Sequence, residues 1–278
     1  MAPQVPSFAV FGQPIAHSLS PRIHRRFGAL CGIALHYGAI EVGPDRLEAR
    51  LARFRASGGR GANVTLPLKE QAARLCRELA PTARLSGAVN TLTGLDEGWA
   101  GDNTDGVGLC RDLQARLGIG LAGQRVLLLG AGGAARGVVP ALFDEGVAEV
   151  VVANRSPERA IALAHDLSGC GPIDACAMEQ LGRAGRFRVI LNATSAARQG
   201  IRLALPDGLP APGAVAYDLS YGSAARPFLE WAAGQGVARC SNGLGMLVEQ
   251  AAESFQRWHG VRPETDAVLA ELRAECDG

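Results

Sequence analysis

The most constraining stretch of the sequence is the run RVLLLGAGGAA at positions 125–135. Apolar, strand-forming residues at 125–129 lead straight into Gly130, Gly132 and Ala135, the spacing G-x-G-x-x-A, and a helical pattern follows over 134–143. Each small residue has a physical reason. The first glycine permits the tight turn, the second lets a pyrophosphate approach the backbone, and the third small residue lets helix and strand pack closely. The phosphate would then lie at a helix N-terminus, where free N–H groups and the helix dipole favour an anion. Such a run is weak evidence alone, but here a strand precedes it and a further βα pair follows. Gly130, Ala131, Gly132, Gly133 and Ala134 are therefore expected to hold a dinucleotide.

The rest of the chain repeats the same alternation. Strands are predicted over 7–11, 35–42, 61–65, 89–92, 99–101, 125–129, 149–153, 187–191 and 214–219. Helices are predicted over 20–31, from Gly43-Pro44, and over 68–79, 105–117, 134–143, 157–167 and from about 244. Ser20 is expected as the N-cap of the first helix, with Pro21 at its first position. Asp102-Asn103-Thr104-Asp105 can cap the helix that follows. The 89–92 and 99–101 strands read as a hairpin around Asp96-Glu97-Gly98. This pattern predicts an α/β fold of parallel sheets covered by helices. A length of 278 residues makes two domains the default.

The second strand of the nucleotide unit discriminates between cofactors. An NAD enzyme usually carries Asp or Glu at that strand's end, about 20 residues after the glycines, to bind the ribose 2′-hydroxyl. Here the tip reads Asn154-Arg155-Ser156-Pro157-Glu158-Arg159, with two arginines and no acid at the tip. That suits the 2′-phosphate of NADP(H), with Arg155 as direct partner and adenine stack and Arg159 as a second cation.

Composition adds one pointer. Of 28 basic residues, Lys69 is the single lysine and the rest are arginines. An arginine does not lose its proton near neutral pH, whereas a lysine can. Lys69 follows Asn63 and Thr65 at a predicted strand end, where ligands of open α/β sheets bind. Other polar clusters lie upstream of the glycine run: His17-Ser18-Leu19-Ser20, Asn90 and Asp105. Singly each reads better as a cap, an Asx turn or a surface residue, but together, upstream of one nucleotide fingerprint, they point to a ligand site.

The bulk numbers exclude several classes. The formal net charge is +1 and the pI about 7.6, so no nucleic acid or anionic membrane partner is expected. No apolar run approaches the ~18 residues of a membrane span. The first residues, 1–7, lack a basic start and an apolar core, so no leader is expected. Seven cysteines without a C-x-x-C pair suggest reduced thiols and a cytoplasmic location. The five histidines form no metal-ligand motif.

Taken in order, these motifs resemble the shikimate dehydrogenase family. The resemblance is carried by AVFG at 9–12, HSLSP at 17–21, GANVT at 61–65 with Lys69, GAVNT at 87–91 and GDNTDG at 101–106. It continues through GAGGAAR at 130–136, NRSPER at 154–159, NATS at 192–195, YDLSY at 217–221 and GLGMLVEQ at 243–250. It implies reversible, NADPH-dependent reduction of 3-dehydroshikimate to shikimate in aromatic amino-acid biosynthesis. It implies that Ser18 and Ser20 bind the substrate carboxylate. Thr65, Asn90, Asp105 and Gln250 would bind ring hydroxyls, with Asn63 and Tyr221 lining the pocket. Lys69 and Asp105 would be the catalytic pair, with the proton assigned firmly to neither. Asn192, Thr194, Leu219 and Gly243 would join the cofactor site. The implied architecture is a substrate domain, 1–104 plus 243–278, and a Rossmann-type NADP domain, 105–242, with a cleft between them. The expected partners are small molecules, and the expected state is a monomer or homodimer.

Two departures from the family pattern are visible: Ala196-Ala197-Arg198 replaces a glycine-containing turn, and Asn242 stands where some relatives have Asp. Two other functions fit part of the pattern. A quinate/shikimate dehydrogenase using NAD is disfavoured by the 154–159 run. A non-catalytic NADP-binding regulator would be free to lose Lys69 or Asp105, and both are present.

Overall fold

A computed structural model of the chain describes residues 7–276. Residues 1–6, which carry most of the expectation about a leader, lie outside the described residues. The chain divides into two compact units, one formed by residues up to Gly108 with those from Leu247 onward, the other by Leu109–Met246.

The first unit begins with β1 (Ser7–Gly12), α1 (Ser20–Cys31), β2 (His36–Glu41), α2 (Leu47–Ala56) and β3 (Gly59–Val64). There follow α3 (Lys69–Arg74), β4 (Glu78–Leu79), α4 (Pro81–Ser86), β5 (Thr91–Gly94) and β6 (Trp99–Asp102). Its sheet runs β2-β1-β3-β5-β6-β4. Strand β1 shows why both faces must be covered. Ala9 and Phe11 join a cluster with Leu47, Leu51, Phe54 and Trp99, while Phe8 and Val10 join Tyr37 and Trp258 on the other face. That is the two-residue period of a strand buried on both sides.

Three expectations need correcting in this unit. The sheet is mixed, because β5 runs antiparallel to both β3 and β6. Leu19, not Ser20, is the N-cap of α1: Ser20 is already the first helical residue, and the Leu19 carbonyl accepts from the Ile23 N–H. The helix predicted over 68–79 stops at Arg74. Beyond it, Arg77 N–H donates to the Trp99 carbonyl, and Glu78 and Leu79 pair with Ala100 and Gly101 in the sheet. Tertiary pairing overrides helical periodicity there.

The second unit contains the end of α5 (Asp105–Arg111), which continues in a π-helical turn at Asp112–Arg116. Next come β7 (Arg125–Leu129), α6 (Gly133–Asp144), β8 (Glu149–Asn154), α7 (Pro157–Asp166), β9 (Ile173–Ala177) and β10 (Phe187–Asn192). The unit closes with β11 (Pro210–Asp218), α8 (Arg226–Gly234), β12 (Arg239–Asn242) and the start of α9 (Leu244–His259). The last helix of the chain, α10 (Asp266–Cys276), belongs to the first unit. Strands β9 and β12 and helices α4 and α8 have no counterpart in the sequence pattern, because they are short or lack clear periodicity.

The second sheet is wholly parallel, in the order β12-β11-β10-β7-β8-β9. Counted from β7, this is the doubly wound dinucleotide-binding order, with its switch point between β7 and β10. Along β7, Val126 and Leu128 face one buried cluster and Leu127 and Leu129 the other. Each such buried leucine or valine stabilises the fold by about 1.5–3 kcal/mol.

Candidate active site

Two groups of the expected site residues assemble, one in each unit. In the first unit, Lys69 opens α3 and Asp105 opens α5. The Lys69 ammonium donates to Oδ2 of Asp105 at 2.5 Å. Both side chains are mostly withdrawn from solvent, at 12% and 5% exposure. The Val89 N–H donates to the Lys69 carbonyl at 2.9 Å, which brings Asn90 alongside. Asn90 Oδ1 accepts from the Thr104 N–H at 2.9 Å, so its Nδ2 is turned to Oδ1 of Asp105, also at 2.9 Å. Nδ2 lies 3.2 Å from Gln250 Oε1 as well. Asp105 thus meets Lys69 through one oxygen and Asn90 through the other. The Asp105 N–H donates to Asn103 Oδ1 at 3.0 Å, which fixes the start of the helix that carries it.

Thr65 and Ser18 lie in loops that follow strands, and Ser20 opens α1. Thr65 N–H donates to the Phe11 carbonyl, and a side chain at Gly12 would collide with the Thr65 methyl. Only glycine lets the Thr65 loop cross the end of β1 so closely. Ser20, buried at the first turn of α1, donates its N–H to Ser18 Oγ at 3.3 Å. Asn63 is buried, and its amide is engaged by Tyr37, Asn90, Thr91 and Ser254. The sequence motifs assign no role to Tyr37, Thr91, Thr104 or Ser254. Ser254 carried a signal, since it lies one helical turn from Gln250. Thr91 and Thr104 sat inside the recognised motifs without a role, and nothing in the sequence marked Tyr37.

In the second unit the glycine run turns directly after β7. Gly130 has φ +104°, a backbone that other residues rarely adopt, and its Cβ would sit 3.1 Å from the Ala193 and Thr194 backbone. Its N–H donates to the Ala153 carbonyl at 2.8 Å, joining the turn to the end of β8. Helix α6 has no side-chain cap, and a Cβ at Gly132 would meet nothing within 4 Å. An open cradle beside uncapped N–H groups fits a pyrophosphate. At the tip of β8, Asn154 Nδ2 donates to the Ser156 carbonyl at 3.0 Å, and Arg155 and Arg159 are exposed.

Across the switch point, Asn192 and Asp218 end β10 and β11. Asn192 Nδ2 donates to Asp218 Oδ2 at 2.6 Å, and Asn192 Oδ1 accepts from the Thr194 N–H and hydroxyl. Asp218 also accepts from the Ser220 N–H, and burial pushes its carboxyl up to about 6. Leu219 N–H donates to the Asn192 carbonyl, and a Cβ at Gly243 would collide with the Leu219 carbonyl. The expected residues Asn192, Thr194, Leu219 and Gly243 are thus grouped at the carboxyl ends of β10–β12. Tyr221 follows this group and is half-buried.

A doubly wound nucleotide-binding unit joined to a mixed-sheet unit with a Lys–Asp pair defines a two-domain α/β dehydrogenase of the dinucleotide-binding class. Family models extend this. The shikimate dehydrogenase substrate binding domain matches residues 10–92, shikimate / quinate 5-dehydrogenase matches 112–204, and the shikimate 5′-dehydrogenase C-terminal domain matches 243–273. The chain is 56% identical over 272 residues to the shikimate dehydrogenase (NADP(+)) of Xanthomonas campestris pv. campestris (strain 8004), covering 97% of this chain and 96% of that protein. Among solved structures, an Ael1 enzyme from Pseudomonas putida superposes with a TM-score of 0.86 at 42% identity, covering 96% of this chain and 98% of that one. The shikimate 5-dehydrogenase of Thermus thermophilus, solved in complex with NADP(H) and shikimate, gives 0.82 at 35% identity, covering 97% and 99%. The chain belongs to the shikimate dehydrogenase family.

Proposed function

We propose that this chain catalyses the reversible NADPH-dependent reduction of 3-dehydroshikimate to shikimate, an oxidoreductase reaction at a CH–OH group with NADP as acceptor. The observation that carries the reading is the Lys69–Asp105 pair, with Asn90 bonded to both Asp105 and Gln250, in a chain whose other unit has the nucleotide-binding strand order. The nicotinamide, when bound, exchanges the hydride. What remains for the protein is to hold the substrate and handle one hydroxyl proton.

Ser18 and Ser20, at the start of α1, bind the substrate carboxylate. Thr65, Asn90, Asp105 and Gln250 hold ring hydroxyls, with Tyr221 as a further pocket residue. Lys69 Nζ takes and returns the hydroxyl proton, and the Asp105 carboxylate keeps the ammonium in place. Gly130, Ala131, Gly132, Gly133 and Ala134 hold the pyrophosphate. Asn154, Arg155, Ser156 and Arg159 hold the 2′-phosphate end, and Asn192, Thr194, Leu219 and Gly243 complete the cofactor site.

The test is an initial-rate assay of NADPH formation with shikimate or quinate and with NADP+ or NAD+. Turnover with shikimate, and a higher kcat/KM for NADP+ than for NAD+, is expected. Preference for quinate with NAD+ would assign the chain to the quinate-oxidising branch. Absence of turnover with every combination would sink the enzymatic reading.

A further inference from the structure

Asn63 is consumed inside the fold. Its Oδ1 accepts from the Tyr37 hydroxyl at 2.7 Å. Its Nδ2 faces the Asn90 carbonyl at 3.1 Å, Thr91 Oγ1 at 3.2 Å and Ser254 Oγ at 3.0 Å. A backbone carbonyl can only accept, so the Asn90 contact fixes which end of the amide is which. The Asn63 oxygen must then face Tyr37, and Tyr37 must be the donor. Thr91 continues the path, donating its hydroxyl to Asn90 Oδ1 at 2.8 Å. Ser254 and Thr104 both donate to the Gln250 carbonyl, at 3.0 and 3.1 Å. The neighbours of Asn63 therefore hold the backbone and side chain of Asn90 and the helix that carries Gln250.

Tyr37 is well suited to anchor this path. Its ring stacks on His24 with centroids 4.3 Å apart and planes 6° from parallel. Burial lowers His24 to about 3, which keeps the imidazole neutral near pH 7, and burial raises the Tyr37 hydroxyl, which keeps its proton.

We infer that Tyr37 is a positioning residue: its hydroxyl sets the Asn63 carboxamide, and Asn63, with Thr91 and Ser254, holds Asn90 against Asp105 of the Lys69–Asp105 pair and Gln250 beside Asn90. Asn63 on this account acts through Asn90 and does not itself bind substrate. The inference rests on the reading of Lys69 and Asp105 as the reacting pair. A network of satisfied buried polar groups specifies one arrangement, and losing one member loosens the groups it orients.

The experiment measures kcat and KM for shikimate at saturating NADP+. Tyr37→Phe keeps the ring and its stack and removes only the hydroxyl. It should lower kcat about fivefold to tenfold, the effect of one weakened hydrogen bond. KM for shikimate should stay within about twofold, as for an interaction expressed in the transition state. Thr91→Val should do the same, and Thr91→Ser should restore kcat because the hydroxyl returns. In an Asn63→Ala background, Tyr37→Phe should have no further effect on kcat, since the two act on one path.

An unchanged kcat in Tyr37→Phe, a rise in KM alone, a Thr91→Ser enzyme as impaired as Thr91→Val, or additive effects of Tyr37→Phe and Asn63→Ala would each overturn the inference. Lys69→Ala in the same series separates the two claims. If it retains turnover, the catalytic pair is wrong. If it abolishes turnover while Tyr37→Phe leaves kcat intact, the pair stands and only the brace fails.

Discussion

Lys69 donates to one carboxylate oxygen of Asp105 at 2.5 Å while Asn90 donates to the other at 2.9 Å. The carboxylate therefore sits between an ammonium and a carboxamide, and in the proposed reaction Lys69 is the group that exchanges the proton of the substrate hydroxyl. Lys69→Ala should lower kcat by about 10²–10⁴, the usual contribution of a positioned acid–base group, while the Kd for shikimate changes little. Lys69→Arg separates two roles. Arginine keeps the charge beside Asp105 but does not release its proton near neutral pH. Loss of turnover in both variants supports proton transfer by Lys69. Near-normal kcat in Lys69→Arg would leave it an electrostatic role only.

Arg155 carries the cofactor prediction. It is exposed at the tip of β8, next to the bond between Gly130 and Ala153 that places the glycine turn. Arg155→Ala should raise KM for NADP+ by about 10–100-fold, the loss of one charge-assisted hydrogen bond to phosphate. KM for NAD+, which lacks the 2′-phosphate, should hardly move. Equal losses with both cofactors would mean that Arg155 supports the loop without reading the phosphate.

Much of this was legible in the sequence, and the reasons differ by element. The glycine turn at 130–135 could be read because each small residue answers a local steric demand. The Lys69–Asp105 pair could be placed at strand ends, but its closure depends on Val89 bonding the Lys69 carbonyl, a contact set by sheet pairing. The helix predicted over 68–79 failed for the same reason: edge pairing of Glu78 and Leu79 with β6 outweighs a helical pattern. The hydroxyl hub of Thr91, Thr104 and Ser254 draws on three separate elements, so no window of sequence contains it. Asp218 sat inside a recognised motif, yet its burial against Asn192 became visible only once β10 and β11 lay side by side.

Asp218 should leave a mark on the pH dependence of stability. Burial raises its carboxyl from 3.8 to about 6 in the folded protein, against the opposing pull of the Ser220 and Asn192 hydrogen bonds. Between those two values the folded state holds a proton that the unfolded chain has released. The group's contribution to stability is thus greatest below about pH 4 and falls as pH rises towards 6, by at most about 3 kcal/mol. Urea melts of the wild type and Asp218→Asn between pH 4 and 7 measure it. The wild type should lose ground to the variant across that window. A constant difference would show that Asp218 titrates like an ordinary carboxylate.

Tyr217 offers a sharper stability test, because its hydroxyl serves two partners at once. It donates to Asp112 Oδ2 at 2.7 Å and accepts from the Met246 N–H at 3.2 Å, all three being buried. Asp112 lies in the π-helical turn after α5, Tyr217 on β11 and Met246 in the first turn of α9. A side chain at Gly245 would collide with the Asp112 carboxylate, so the two helical segments meet with no space to spare. Removing the hydroxyl takes a donor from a buried carboxylate and an acceptor from a buried N–H. Tyr217→Phe should therefore cost about 1–3 kcal/mol of unfolding free energy, at the upper end because one partner is charged. Denaturant melts read that loss directly. A variant as stable as the wild type would mean that Asp112 is held by its other contacts and that the Tyr217 hydroxyl contributes nothing net.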